Sequence, residues 1–424
     1  MHLKSELKIK RRTFPEWLTL FVFVMPFLLP TMLQLLNAPG LLKYTLDVAW
    51  VLLLLFLVLR RHLRYDGKKG VLPVFVLLLF LYSLIVYLCN YQSPFYFLWG
   101  VRNNFRFYVA FFAYAAFFSD SDVETAFGFL DLLFYVNILV TAFQYAVLGL
   151  RGDFLGGIFG VETGSNSGTL LFFTIVLAHS FLNYMEGRVN APNVWLKCAV
   201  SLVIAALAEL KFFFLVFVAI VLLAMLFTRF SFRKLLLIAV SAGILMVSTT
   251  LLSSMFVFDW TWESIVEVIT KDNYSSARDL GRYTAIPRIA ETILTDLPSR
   301  LFGMGLGNCD TSAFEICNKP FFKTHYYLNY DWFSSAFLFL ETGFIGLGLN
   351  LMFYVICFIM AHRQYKRGEG NRFYCQMAMI AAVICIALTF YNSSLRTEVA
   401  YMIYFVLALP FISKSSVAEI GEKV

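Results

Sequence analysis

Stretches of about 20 mostly apolar residues recur from one end of the chain to the other, and this recurrence restricts the fold more than any single residue does. At that length an α-helix crosses the hydrocarbon of a bilayer with its backbone N–H and C=O groups paired internally. The pattern predicts helices near 17–36, 45–59, 71–89, 105–118, 126–149, 169–184, 197–210, 212–228, 235–256, 332–360, 375–391 and 398–413. Composition agrees. Of 424 residues 60% are hydrophobic and 14% charged, and mean hydropathy is +0.74, more apolar surface than one soluble core could hide. A β-barrel would alternate polar and apolar residues over strands of about 10, which the unbroken run Val51–Leu59 does not do. Trp17–Leu36 is too long for the apolar part of a cleaved signal peptide and reads as a first span. The expected fold class is an all-α integral membrane protein of about 12 transmembrane helices with one large external loop that carries short amphipathic helices.

Lys and Arg set the orientation. Lys4, Lys8, Lys10, Arg11, Arg12, Arg60, Arg61, Arg64, Lys68, Lys69, Arg229, Arg233, Lys234, Arg363, Lys366, Arg367 and Arg372 all fall on one side of the predicted spans. The positive-inside rule makes that side cytoplasmic and places both termini there. Residues 1–424 then form a single polytopic domain, and 257–331 is an external loop between the ninth and tenth helices. Its seven basic residues do not conflict with this, because long loops are largely exempt from the rule. The net charge of +7 is thus mostly topological, and a nucleic-acid partner is not expected.

Within the loop, Trp260–Thr270 and Tyr283–Leu297 read as amphipathic helices on the membrane surface or over the bundle. The second carries Ile286, Ile289, Ile293, Leu294 and Leu297 at helical spacing. Residues 272–277 read as turn and 310–323 as irregular. Five cysteines, Cys89, Cys198, Cys357, Cys375 and Cys385, lie in or beside predicted helices, where thiols pack well. Cys309 and Cys317 share the loop, and an oxidising compartment would allow a disulfide, although spacing alone does not bring two Cα atoms within about 7 Å. No Cys/His cluster has zinc spacing, so no metal is expected. The chain has no repeat of fixed period.

Charges at a membrane edge cost several kcal/mol unless they are used, so they mark candidate sites. Lys211, in the short link Ala208–Phe213, is either a snorkelling lysine beside Glu209 or an anion ligand facing a cavity. Arg278, Arg282 and Arg288 form a second group. In a helix the first two would share a face, and guanidinium forks suit phosphate, although each could equally be a surface ion pair with a neighbour such as Asp279 or Glu291. The turn Gly303, Gly305, Gly307 follows no strand and is expected to be a flexible turn that folds the loop back toward the bilayer, not a dinucleotide site. His325 is the only histidine expected outside and suits proton transfer near neutral pH, or lies at the interface among tyrosines; Asp331 is the nearby carboxylate. Glu341, in the tenth helix near Gly346 and Gly348, needs a buried partner such as a basic residue. Arg102 and Arg106 are expected at the external mouth of the fourth helix.

Several of these features occur together in one order. A glycine-rich external turn, Gly156–Asn166, precedes the sixth helix and a basic residue follows the seventh. Gly281–Arg282, Gly303–Gly307, His325 and Glu341–Gly346 come next. On a dozen helices, with the large loop between the ninth and tenth, this resembles the superfamily of O-antigen ligases and Wzy-type polysaccharide polymerases, over roughly residues 97–350. The resemblance implies a bacterial inner-membrane enzyme that transfers a glycan from undecaprenyl diphosphate to an acceptor hydroxyl at the outer face, without metal, nucleotide or other cofactor. It implies an undecaprenyl-diphosphate-linked glycan as substrate, membrane lipid around the bundle and a chain-length regulator as protein partner. His325 or Asp331 would be the base, with Lys211, Arg278, Arg282 and Arg288 on the diphosphate. Glu341, the three glycines, Arg102 and Arg106 would support them. Ligases tend to have arginine where this chain has Lys211, and its His325 region is richer in tyrosine, so both departures lean toward polymerase and O-antigen or capsule synthesis. A flippase of lipid-linked sugars would use similar cations, but it would be expected to place charges deep in both halves of the chain.

Overall fold

The computed structural model describes residues 12–34, 36–59, 70–228, 232–255, 271, 273, 278–312, 314–317 and 320–412. The expected helix at 260–270, most of the turn at 272–277 and the basic residues Lys4, Lys8, Lys10, Arg11, Arg60, Arg61, Arg64, Lys68, Lys69 and Arg229 lie outside the described residues.

Every regular element among the described residues is helical. In chain order these are α1 (Phe14–Gln34), α2 (Thr45–Leu59), α3 (Val71–Cys89), α4 (Pro94–Phe117), α5 (Asp120–Ala146), α6 (Asn166–Met185), α7 (Ala191–Leu207), α8 (Lys211–Phe227) and α9 (Phe232–Met255). Then follow the loop helices α10 (Ala285–Thr292), α11 (Leu297–Phe302) and α12 (Pro320–His325), and finally α13 (Ser334–Arg367), α14 (Arg372–Tyr391) and α15 (Ala400–Ala408). All twelve apolar stretches read from the sequence coincide with a helix. Among the described residues, eight helices are long and apolar enough to cross a membrane, while α7, α8 and α15 are apolar but shorter. This is a multi-pass α-helical membrane protein.

Burial separates inner helices from outer ones. The most apolar window of α6 is 89% buried and that of α14 is 78% buried, whereas α2, α3 and α9 reach only 22%. The first two form the centre, and the last three turn Leu, Val and Phe side chains outward, the pattern expected of lipid-facing helices.

One correction concerns α4, which starts at Pro94 and not near residue 105. Proline in the first turn lacks only an N–H that would be unpaired there anyway. Arg102 and Arg106 therefore lie inside the helix, not at its mouth. A second concerns the loop helix expected over 283–297. It ends at Thr292, and Asp296 caps a new helix by accepting the Ser299 N–H at 3.0 Å. Ile289 and Leu294 are buried as the stripe predicted, but Leu297 falls on the next helix and is exposed. The segment 310–323, expected to be irregular, contains the 3₁₀ turn Glu315–Cys317 and the start of α12.

The loop is not detached from the bundle. Leu280, Ala285, Ile289, Leu294, Cys309, Phe321, Leu328 and Tyr330 form a second core against Phe333 and the first turns of α13, Ala336 to Leu340. The glycine turn is packed, not flexible. Gly343 (φ 62°, ψ −168°) interrupts α13, and the freed carbonyls of Leu340 and Glu341 accept the N–H groups of Met304 (2.8 Å) and Gly305 (2.9 Å). Gly303, Gly305 and Gly307 all have positive φ. A Cβ on Gly303 would meet the α13 backbone at Glu341–Thr342, and one on Gly307 would meet the Tyr96 carbonyl of α4. Glycine is required there because two helices close on the turn.

Candidate functional site

A cavity of about 640 Å³ opens at one end of the bundle. Its walls come from the second half of α1 (Pro26, Pro30, Leu33, Gln34), the turn before α6 (Phe159, Glu162–Gly168), the α7–α8 link (Glu209, Leu210), Arg282, Asp331–Phe333, and the α14–α15 link (Tyr391–Ser393, Thr397–Val399).

Buried polar groups hold each wall in place. The glycine-rich turn is clamped by α5: Gln144 accepts the Gly157 N–H and donates to the Gly157 carbonyl, both at 2.8 Å, and Asn137 accepts the Ile158 N–H at 2.9 Å. Gln34 of α1 accepts the Val161 N–H at 2.6 Å. Asn166 donates to Asp153 Oδ1 at 2.8 Å and to the Ala208 carbonyl at 3.0 Å, which joins this turn to the α7–α8 link. In that link Glu209 adopts a left-handed φ of 54° and pairs with Lys211 at 2.9 Å. The α14–α15 link is tied down by Ser334, whose N–H and hydroxyl both donate to the Asn392 carbonyl, at 3.0 and 2.8 Å.

Arg282 sits over the ring of Tyr391, its Cζ 4.1 Å from the centroid, and Tyr391 stacks on Phe212 at 3.9 Å and 12°. Arg282 thus stands on an aromatic pair at the cavity edge, while Lys211, the chain neighbour of Phe212, pairs with Glu209 and is not among the cavity residues. Asp331 lines the cavity, and burial pushes its carboxyl above the usual carboxylate range although the Arg396 guanidinium pulls the other way. Arg396 has its own affinity for the proton lowered by burial, opposed by Asp310, Glu341 and Asp331 around it. Its Cζ lies 3.0 Å from the Phe337 ring centroid.

The remaining candidates stand elsewhere. His325 stacks on Phe321 at 4.2 Å, with Nδ1 2.7 Å from the Thr324 hydroxyl, and is not among the cavity residues. Arg278 and Arg282 do not share a helical face, because Arg278–Thr284 contains turns and bends and no helix; Arg278 is exposed. Arg288 donates to Asn273 Oδ1 at 2.6 Å and to the Asp279 carbonyl at 2.8 Å, so it braces the loop. Arg102 forms a bidentate pair with Asp47, both contacts 2.8 Å, and stacks over Trp99. Arg106, its side chain 4% exposed, pairs with Glu398 at 3.0 Å and donates to the Arg396 carbonyl at 3.3 Å. Glu341, expected to meet a basic residue, accepts the N–H groups of Gly307 (2.8 Å) and Cys309 (3.4 Å), and has the Arg396 guanidinium near it as a basic neighbour without a contact ion pair. No disulfide joins Cys309 to Cys317; the former is buried with its sulfur 3.9 Å from Met304 Sδ.

Sequence reasoning missed Arg396 and Glu398. Both lie in a short link between two apolar stretches, the same signal that singled out Lys211. It also missed Asn137 and Gln144, polar residues fully buried in α5 that serve the glycine turn. Comparison of the chain with protein-family models and with curated proteins finds no match to either.

Proposed function

We propose that this protein is a Wzy-type polysaccharide polymerase, a glycosyltransferase that joins undecaprenyl-diphosphate-linked repeat units into O-antigen or capsule at the outer face of a bacterial inner membrane. The observation that carries the reading is the cavity, because it gathers the glycine-rich turn, the Lys211 link, Arg282 and Asp331, which the family resemblance had listed from separate parts of the chain. Its walls come from α1 and from connections that the basic-residue pattern assigns to the external side, which supports the twelve-span topology with cytoplasmic termini.

The chemistry follows from these groups. Arg282 stands at the edge where the donor diphosphate would sit, and its charge stabilises the leaving group as the anomeric C–O bond breaks, with Lys211, paired to Glu209 on the adjoining link, as the second cation. The acceptor hydroxyl oxygen forms the new bond to the anomeric carbon, and Asp331 takes its proton. A carboxyl held above its usual range is the better base for a hydroxyl, because proton affinity and basicity rise together. Asp331 is preferred to His325 for its place on the cavity wall. The apolar residues Pro26, Pro30 and Leu33 of α1 give the lipid tail a surface beside the cavity. A ligase would use the same donor site with a different acceptor.

The test is turnover of purified undecaprenyl-diphosphate-linked repeat units by the protein in proteoliposomes. Polymer should form with the wild type, and Arg282→Gln should lower kcat on the order of 10²-fold, the effect of removing one charge-stabilising donor. Wild-type rates in the Arg282→Gln protein would refute the assignment.

A further inference from the structure

Asp331 shares the cavity with a second carboxyl held under constraint. Glu398, from the α14–α15 link, lines the same space. Its Oε1 accepts Arg106 Nη1 at 3.0 Å, and the two halves of the pair differ in exposure, 4% for the Arg106 side chain and 37% for that of Glu398. Arg106 is not among the cavity residues, so the cavity meets the negative end of a fixed dipole. The mount is held from both sides. Arg106 also donates to the Arg396 carbonyl at 3.3 Å and lies 4.7 Å from the Phe107 ring centroid, while the Glu398 carbonyl accepts the Tyr401 N–H at 3.2 Å as α15 begins. The two carboxyls are driven in opposite directions. Burial raises Asp331, and Arg396 stands near it without a contact ion pair among the described residues. Desolvation also works to raise Glu398, but Arg106 outweighs it and holds that carboxyl below the usual range.

Two carboxyls of one site whose environments push them apart do different work: one exchanges a proton, and the other keeps its charge. A fixed, ionised carboxylate stabilises positive charge that develops beside it. In glycosyl transfer that charge arises at the anomeric carbon, which passes through an oxocarbenium-like transition state as its bond to the leaving oxygen breaks. Resting on the transfer reading of this cavity, we infer that Glu398 is a further catalytic residue, the anion that stabilises the oxocarbenium-like charge while Arg106 holds it in place. Arg282 then meets the anionic leaving group and Glu398 the cationic carbon, so the two signs of charge in the cavity match the two ends of the breaking bond. The step balances without a covalent enzyme intermediate. The acceptor oxygen bonds to the anomeric carbon, the diphosphate oxygen leaves with the electron pair, the proton goes to Asp331, and Glu398 neither gains nor loses a bond.

The experiment uses the full-length protein in nanodiscs and measures donor binding and single-turnover transfer separately, with one undecaprenyl-diphosphate-linked repeat unit, for the wild type and Glu398→Gln. Glutamine keeps the shape and still accepts from Arg106, so only the charge is removed. Transfer should slow on the order of 10²-fold while donor affinity stays the same. Binding of two donor-sugar analogues is measured in parallel, an iminosugar protonated at its ring nitrogen and the neutral sugar with oxygen in that place. The wild type should prefer the cation by about tenfold at low salt, and Glu398→Gln should lose the preference. A Glu398→Gln protein that transfers at the wild-type rate, or one whose loss of rate is matched by loss of donor binding, would overturn the inference; the second result would mark a structural pair. Equal binding of the two analogues by the wild type would overturn it even where the variant fails to fold. Each of these results leaves the transfer reading standing, because wild-type protein still releases undecaprenyl diphosphate. Absence of that release from the wild type would remove the reading and, with it, the role of Glu398.

Discussion

Asp331 and Arg106 are the two residues through which the account is most exposed to test. Asp331 must be ionised to accept a proton, and burial raises its pKa, so kcat should fall as pH drops through a value above the ordinary carboxylate range of about 4. Asp331→Asn should lower kcat by about 10²–10⁴-fold and abolish that acidic limb; a pH–rate profile of the wild type and this variant checks both. Arg106 has a structural role instead. Its guanidinium is buried against Glu398, and Arg106→Met would leave that carboxylate, 37% exposed on the cavity wall, without its partner. The expected loss is about 1 kcal/mol, below the range for a fully buried pair because the Glu398 side chain is 37% exposed, read as a lowered unfolding midpoint in detergent. These charges were unevenly legible in the sequence. The cost of charge at a membrane edge pointed to Lys211, yet the same rule applied to Tyr391–Val399 would have found Arg396 and Glu398. Nothing in the spacing could show that Arg288 turns back onto the Asp279 carbonyl, because that depends on a turn and not on periodicity.

Among the elements, α13 carries the most informative irregularity. Its break at Gly343 frees two carbonyls for the glycine turn, and the φ/ψ values there are essentially restricted to glycine. A Cβ would also strike the Leu301 carbonyl. Gly343→Ala should therefore destabilise the protein by about 1–3 kcal/mol, and more if α13 straightens, as measured by thermal unfolding in detergent. Gly348, with open space around it, is the control and should tolerate alanine. Helix positions were largely legible because a run of about 20 apolar residues has few other uses. The start of α4 was not, since Asn103, Asn104 and two arginines interrupt its hydropathy where α2 and the 308–314 segment supply Asp47 and Asp310 as partners. The amphipathic stripe of Tyr283–Leu297 was real, but periodicity could not see that Asp296 and Pro298 restart the helix.

At the scale of the whole molecule, the sidedness of the connections and the contents of the cavity stand or fall together. Cysteine introduced at Tyr91, 95% exposed in the α3–α4 link, should react in intact cells with a membrane-impermeant maleimide, provided the exposed Cys89 is first replaced. Cysteine at Glu369, exposed in the α13–α14 link, should react only after permeabilisation. The reverse pattern would invert the topology and put the cavity in the cytoplasm. Composition and charge made the membrane class legible, whereas the cavity was not, because it is assembled from α1 and short links that no local pattern relates to one another. The most direct measurement is single-turnover assay of a purified, undecaprenyl-diphosphate-linked repeat unit with wild-type protein in proteoliposomes, following both the glycan and the released carrier diphosphate. The account predicts glycosidic bond formation matched one for one by undecaprenyl diphosphate release, on the order of 10²-fold slower in Arg282→Gln. Movement of intact lipid-linked glycan across the bilayer with no bond formed would contradict it and make the protein a transporter.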